Sequence, residues 1–151
     1  MKKDLAVELF SKGFNCSQSV LAVLGPDLGL PQEQCLKVAC AFGAGMARQQ
    51  LTCGAVTGAL MALGLKYGKG EHDDDACKLL TYRKTTDFVT AFMAKHQSIV
   101  CRDLLHGLDM NSPVGIDEIN RLNLFNSSCP RYVADAVDIA LCIVEDELMV
   151  F

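Results

Sequence analysis

The chain has 151 residues, of which 50% are hydrophobic and 21% are charged, and its formal net charge is −4. This length allows one well-buried core, so we expect a single domain over residues 1–151. The acidic balance argues against nucleic acid as a partner. No apolar run reaches the roughly 18 residues of a membrane span, and Asp4 and Glu8 interrupt the start where a signal peptide would be apolar. We therefore expect a cytoplasmic protein with no membrane partner.

The predicted elements of the first third are helices, because no stretch alternates apolar and polar residues and no hairpin dipeptide is present. The first helix covers about residues 3–12 and stops at Gly13. The second begins after Asn15 and ends before Gly25, and the third covers about residues 32–42. The stretch FGAGMARQQ that follows is predicted to be a loop.

The fourth helix is predicted in TCGAVTGALMALGLKYG, residues 52–68, and the glycines after it end it. A helical pattern over residues 74–106 would be about 50 Å long, but a compact domain of this size is only about 40 Å across. We therefore expect a break at KHQS. The last helix follows Pro130 and runs to about residue 149. These elements predict an all-α, compact bundle of six or seven helices.

Small residues form a stripe on the fourth helix. Gly54, Gly58 and Ala62 recur every four residues, so they lie on one face. Such a face lets a neighbouring backbone approach closely, which would bring another helix start near Cys53. The alternative is a core helix of small residues with no chemical role.

The chain contains eight cysteines: Cys16, Cys35, Cys40, Cys53, Cys77, Cys101, Cys129 and Cys142. In a reducing compartment, scattered cysteines are metal-binding, redox-active or simply buried. No C-x-x-C pair is present, so neither a zinc ribbon nor a thioredoxin-like site can be identified locally. Any shared cysteine site must be assembled by the fold.

Four cysteines share a predicted position at the amino end of a helix: Cys16, Cys53, Cys101 and Cys129. Asn15 and Thr52 are the expected N-caps immediately before the first two. Ser98 is the expected cap that places Cys101 at the third helical position. Pro130 favours the first helical position, which makes the preceding cysteine the N-cap itself.

This position predicts a lowered pKa for the four thiols, because free backbone N–H groups and the helix dipole stabilise negative charge. Arg102 and Arg131 adjoin two of them and act in the same direction. We therefore expect thiolates, the form of cysteine that attacks disulfides and binds metals. The other four cysteines are interpreted as small core or surface residues.

The three histidines give little further indication of a functional site. His72, His96 and His106 are far apart and lack a metal-binding spacing, so we expect solvated or capping roles. His96 is the one of interest, because it lies five residues before Cys101.

Four segments together resemble one known family: GFNCSQSVL, FGAGMARQQLTCGAVTGALMALGLKYG, SIVCRDLLHGLD and CPRYVADAVDIALCIVEDEL. Over about residues 13–148 the chain resembles the C-GCAxxG-C-C family of redox-active proteins. The four cysteines of that family correspond to Cys16, Cys53, Cys101 and Cys129. One departure is that residues 53–58 read Cys-Gly-Ala-Val-Thr-Gly, whereas the family name has Gly-Cys-Ala. The resemblance implies a redox role, with an iron–sulfur cluster or another metal site as one option.

Two hypotheses of different class follow. In the first, the four cysteines converge in space and are the redox-active residues. They would either ligate an iron–sulfur cluster or zinc, or cycle between dithiol and disulfide with an unknown redox partner. In the second, the protein is a non-catalytic helical interaction module whose cysteines only pack. Whether the protein is an enzyme is left open.

A homodimer is also expected, because apolar residues cover much of the last helix. A helix that is apolar over so wide an arc is usually buried on more than one side. The interface is predicted to involve this helix or the helical pair over residues 74–106.

Overall fold

The computed structural model describes the backbone of residues 1–149 and the side chains of residues 1–145. The helical segments are α1 (Lys2–Ser11), α2 (Cys16–Leu24), α3 (Gln32–Ala39), α4 (Gly43–Met46), α5 (Gly54–Tyr67), α6 (Asp75–His96), α7 (Cys101–Leu104), α8 (Pro113–Arg121), α9 (Leu124–Ser127) and α10 (Cys129–Met149). Short 3-10 turns lie at Pro26–Leu28 and Cys40–Phe42. Strand-like pairing in the described residues is limited to one antiparallel bridge between Thr52 and Val100. The all-α prediction is confirmed, although the predicted count of six or seven helices is slightly low.

Local signals account for several helix ends. Asn15 begins α2 with a capping box, in which its Oδ1 accepts from the Gln18 backbone N–H at 2.9 Å and its own N–H donates to Gln18 Oε1 at 3.0 Å. The predicted break at KHQS is confirmed, since α6 ends at His96 and Gln97 adopts a left-handed φ of 67°. None of the helices in the described part of the chain has the length and apolar character needed to cross a membrane.

The segment between α7 and α10 contains helices that the sequence analysis did not predict. Ser112 is the N-cap of α8, and its Oγ accepts from the Gly115 backbone N–H at 2.9 Å. Pro113 occupies the first helical turn, where its missing N–H costs nothing. The helix buries only Gly115 and Ile119.

The core consists of two hydrophobic clusters. The larger one is formed mainly by α2, α5 and α10, together with Phe88 and Phe92 of α6. The smaller one contains Cys101, Leu105, Met110, Ile119 and Leu124. Helix α10 packs against α1, α2, α5 and α6, so much of the apolar arc that motivated the dimer prediction is covered within the chain. The homodimer itself stays a prediction.

The predicted loop before α5 contains α4, and its backbone is left-handed rather than right-handed α-helical. Residues 44–48 all have positive φ values, of 53°, 66°, 69°, 53° and 68°. Each non-glycine residue in this conformation costs about 1–2 kcal/mol. Hydrogen bonds hold the segment in place: Gln50 N–H donates to Ala44 O at 3.2 Å, and Asn111 Nδ2 donates to Arg48 O at 2.8 Å. Backbone strain of this kind concentrates at functional sites.

Candidate functional site

The four cysteines singled out from the sequence lie at helix starts, with small changes in register. Cys16 follows its cap Asn15 as predicted and is the first residue of α2. Cys53 is itself the N-cap residue of α5, because Thr52 is engaged in the bridge to Val100. Cys101 and Cys129 are the first residues of α7 and α10, rather than the third residue and the N-cap. Each of the four cysteines therefore lies at the start of a helix, within two residues of its predicted position.

The small-residue face of α5 brings two of the helix starts together. A Cβ atom on Gly54 would lie 3.3 Å from the Cys16 Cβ and 3.0 Å from the Ser17 backbone nitrogen. One turn later, a Cβ atom on Gly58 would lie 2.7 Å from the Ser17 carbonyl oxygen. The glycines therefore allow α5 to contact α2, as the spacing predicted. Cys53, which directly precedes Gly54, is thereby placed beside the start of α2.

Backbone pairing brings Cys101 to the same place. The Cys53 N–H donates to the Ile99 carbonyl at 2.7 Å, and the Cys101 N–H donates to the Leu51 carbonyl at 2.6 Å. The adjacent Gln50 side chain is only 4% exposed. Its Nε2 donates to the Leu108 carbonyl, and its Oε1 accepts from the Met110 N–H, each at 2.8 Å. These bonds fasten the segment after α7 to the segment before α5.

The four cysteines lie where the two hydrophobic clusters meet. Cys53 belongs to the larger cluster and Cys16 packs against it. Cys101 belongs to the smaller cluster and Cys129 packs against that one. The site is therefore formed by elements from both halves of the chain.

The electrostatics shows that the thiols interact with one another. A charge on Cys16 raises the pKa of Cys53, Cys101 and Cys129. A charge on Cys101 also raises the pKa of Cys53 and Cys129. The Cys16 thiol therefore interacts with all three of the other thiols. Such effects weaken with distance, so the two thiols of each interacting pair lie within range of each other's charge.

The predicted lowering of the thiol pKa values is wrong for all four cysteines. Burial is the largest effect in each case: it raises the pKa of Cys16, raises that of Cys53 well above the usual range, and raises that of Cys101 to about 12. The pKa of Cys129 is raised for the same reason. Removing a thiolate from water costs more than a helix start returns. The four thiols are therefore neutral at pH 7.

Backbone N–H groups still act on two of the sulfurs in the expected direction. The N–H of Ala44, in the left-handed segment, and that of Cys16 itself lower the pKa of Cys16. The N–H groups of Ala55 and Val56, in the first turn of α5, lower that of Cys53. The helix-start argument thus identified a real effect that burial outweighs.

The arrangement of the side chains bears on whether the four cysteines could bind a metal ion. Among the described residues, no three His, Cys, Asp or Glu side chains are placed so that they could hold a metal ion. An iron–sulfur cluster or zinc on the four cysteines stays a prediction. All eight cysteines are free thiols.

A histidine–carboxylate pair adjoins the thiols. His96 Nε2 lies 2.8 Å from Asp135 Oδ2, and the histidine side chain is only 7% exposed. The ring of Tyr132 stands edge-on to that of His96, at 4.8 Å between centroids. Burial raises the pKa of Tyr132, and charges on Cys129 and Cys53 raise it further, so Tyr132 lies between the pair and the thiols. The sequence drew attention to His96 but not to a partner 39 residues away.

The remaining cysteines lie outside this site. Cys35 is buried, and its Sγ donates to the Leu30 carbonyl at 3.2 Å. Cys40 and Cys142 are exposed, and Cys77 is partly buried. These positions agree with their interpretation as core or surface residues.

The fold and the site define an all-α protein that gathers four interacting thiols from separate helix starts. The chain belongs to the family described as "Putative redox-active protein (C_GCAxxG_C_C)", whose model matches residues 14–143. The resemblance drawn from the sequence motifs is confirmed. Comparison with the curated proteins and with the solved structures gives no significant match.

Proposed function

We propose that this protein carries out thiol–disulfide exchange through Cys16, Cys53, Cys101 and Cys129. The observation that supports the proposal is the electrostatic coupling of these four thiols, with Cys16 acting on the other three. Membership of a family described as redox-active agrees with this chemistry. We also infer a cytoplasmic location, because eight free cysteines persist most readily in a reducing compartment.

In the proposed reaction we assign the attack to Cys16, because it is the thiol that interacts with all three others. Its thiolate attacks one sulfur of a small disulfide, forms a mixed disulfide and releases one small thiol. A second cysteine of the site loses its proton and attacks the Cys16 sulfur. This step forms a bond within the protein and releases the second small thiol. The protein loses two electrons and two protons, and the small disulfide gains them.

The raised pKa values make the reduced site slow to react at neutral pH. Only the thiolate is nucleophilic, and burial keeps all four thiols protonated. The left-handed segment offsets part of this effect at Cys16, where the Ala44 N–H acts on the sulfur. The strain in that segment is thus located where it assists the attacking group.

The proposal is tested by oxidising the reduced protein with hydroxyethyl disulfide and mapping the bonds by peptide mass spectrometry. We expect disulfides only among the four site cysteines. Cys16→Ser should slow the oxidation strongly, whereas Cys142→Ser, at an exposed cysteine, should leave its rate unchanged. If Cys16→Ser reacts at the wild-type rate, or if the site cysteines never pair, the exchange reaction is refuted.

The same preparation distinguishes the other hypotheses. About one metal ion or cluster per chain after anaerobic purification would replace disulfide exchange with metal or iron–sulfur chemistry on these cysteines. Four thiols that resist both metal and disulfide would favour the non-catalytic interaction module.

A further inference from the structure

A polar cavity of about 540 Å³ opens beside the thiol site, between the end of α6 and the starts of α7 and α10. Small-molecule sites in proteins typically have volumes of about 300–1,000 Å³. Tyr132 lines this cavity and also interacts electrostatically with Cys129 and Cys53. The Tyr132 hydroxyl donates to the Leu104 carbonyl at 2.8 Å, which fixes the ring between the cavity and the thiols.

Two cations, Lys95 and Arg131, and one carboxylate, Asp103, line the cavity, although the protein as a whole carries a net charge of −4. Both cationic side chains are exposed, and Lys95 Nζ lies 3.8 Å from Asp135 Oδ1. The carboxylate in the lining, Asp103, already accepts a hydrogen bond from Ser98 Oγ at 2.9 Å. A rim of this kind suits a carboxylate ligand, which a guanidinium group can bind through two parallel hydrogen bonds.

The floor of the cavity contains His96. Its Nε2 faces Asp135 at 2.8 Å, which orients the ring and assigns the proton to this nitrogen. Within the described residues, the other ring nitrogen, Nδ1, has no hydrogen-bond partner. Every buried side-chain nitrogen or oxygen there has a partner, so Nδ1 is not buried. Nδ1 is therefore accessible from the cavity. A nearly buried side chain held by a carboxylate thus presents a ring nitrogen to any occupant.

We propose that this cavity binds the carboxylate-bearing part of a small thiol or disulfide that exchanges with the cysteine site. The inference rests on the proposed function for the reaction itself. Arg131 and Lys95 hold the carboxylates, and His96 accepts a hydrogen bond from an N–H or O–H group of the ligand. Tyr132 forms the wall of the cavity on the side of Cys129 and Cys53.

The binding step is tested without any redox chemistry. S-methylglutathione carries two carboxylates and has a thioether that cannot exchange, so calorimetry on the reduced protein measures binding alone. We expect the wild type to bind it and Arg131→Gln to bind it about tenfold more weakly, since a hydrogen bond to a charged group contributes on this order. Arg83→Gln removes the same charge from an exposed site on α6 and should retain the wild-type affinity. No binding by the wild type, or equal affinity in the two variants, would overturn the proposal.

The reaction step separates this inference from the proposed function. The rates of oxidation by glutathione disulfide, which is anionic, and by cystamine, which is cationic, are compared in each variant. We expect Arg131→Gln to reduce the ratio of the two rates about tenfold, by the same loss of interaction, and Arg83→Gln to preserve it. If neither disulfide oxidises the site while S-methylglutathione still binds, the exchange reaction is wrong and the binding site stands. If both disulfides react and the ratio is the same in all variants, the cavity does not select the substrate.

Discussion

The close contact between α5 and α2 predicts opposite effects for two identical substitutions in one helix. Gly58 and Gly64 both lie within α5. A Cβ atom on Gly58 would lie 2.7 Å from the Ser17 carbonyl oxygen and 3.1 Å from the Val20 Cβ, whereas a Cβ atom on Gly64 would meet nothing within 4 Å. Ala therefore gains helix propensity at both positions but is crowded at only one.

The magnitudes follow from these contacts. Replacing Gly by Ala inside a helix stabilises it by about 0.5–1 kcal/mol, which is the expected gain in the free energy of unfolding for Gly64→Ala. At Gly58 the obstructing atoms include backbone, so α2 must move. Overpacking of this kind costs about 1–3 kcal/mol. The two variants should therefore differ by about 1–3 kcal/mol, with Gly58→Ala the less stable.

Urea unfolding followed by circular dichroism measures this difference under reducing conditions. Both substitutions have the same effect on the unfolded chain, so comparing them isolates the contact with α2. For a chain of about this size, each kcal/mol corresponds to roughly 2–4 °C in melting temperature. Equal stability changes in the two variants would refute the close-packing explanation of the small-residue stripe.

Two further predictions concern pH and assembly. In the folded protein the pKa of Cys101 is raised to about 12. Between about pH 9 and 12, folded Cys101 therefore keeps a proton that the unfolded chain releases. The free energy of unfolding should fall by about 1.4 kcal/mol per pH unit because of this thiol. Urea unfolding at pH 8, 9 and 10 should show a shallower loss in Cys101→Ser but not in Cys142→Ser, and equal slopes would contradict the buried, neutral thiol. The homodimer is expected to use the outer face of α6, where Leu79 and Tyr82 are 58% and 60% exposed. Light scattering at micromolar concentration should give twice the chain mass, with Leu79→Glu shifting it towards the monomer, and a monomeric wild type would contradict the prediction.

Local signals predicted the positions of the cysteines but not their protonation. N-caps such as Asn15 are visible in the sequence because they act on residues two or three positions away. Burial depends on which elements pack together, and it reversed the predicted pKa shifts at Cys53 and Cys101. The position of a thiol at a helix start therefore gives the direction of one contribution to its pKa shift. It does not give the direction of the whole shift.

Other features were inaccessible for related reasons. The left-handed segment at residues 44–48 contains four non-glycine residues in a conformation that their own preferences oppose, so only its tertiary hydrogen bonds explain it. Helix α8 carries the cap Ser112 and a proline after it, and these signals could have identified it. The pairing of His96 with Asp135 spans two helices, and nothing in the sequence near either residue indicates the other.

The order of residues at the start of α5 follows from the same contact with α2. The family pattern places cysteine after glycine, whereas this chain has Cys53 followed by Gly54. A Cβ atom at position 54 would lie 3.0 Å from both the Phe42 carbonyl oxygen and the Ser17 nitrogen. In this chain, a side chain at position 54 would therefore be crowded by backbone atoms, and the thiol occupies the position before it.

Exchanging the two residues tests this reasoning. The double variant Cys53→Gly, Gly54→Cys restores the family order but places a Cβ atom against the backbone of α2. We expect a loss of about 1–3 kcal/mol in the free energy of unfolding, measured in urea under reducing conditions, and Gly54→Ala should lose a similar amount. Cys53→Ala retains Gly54 and removes only the thiol, so it separates the loss of the sulfur from the crowding. If the double variant and Gly54→Ala are as stable as the wild type, α2 tolerates a side chain there and the displacement of the thiol to position 53 needs another cause.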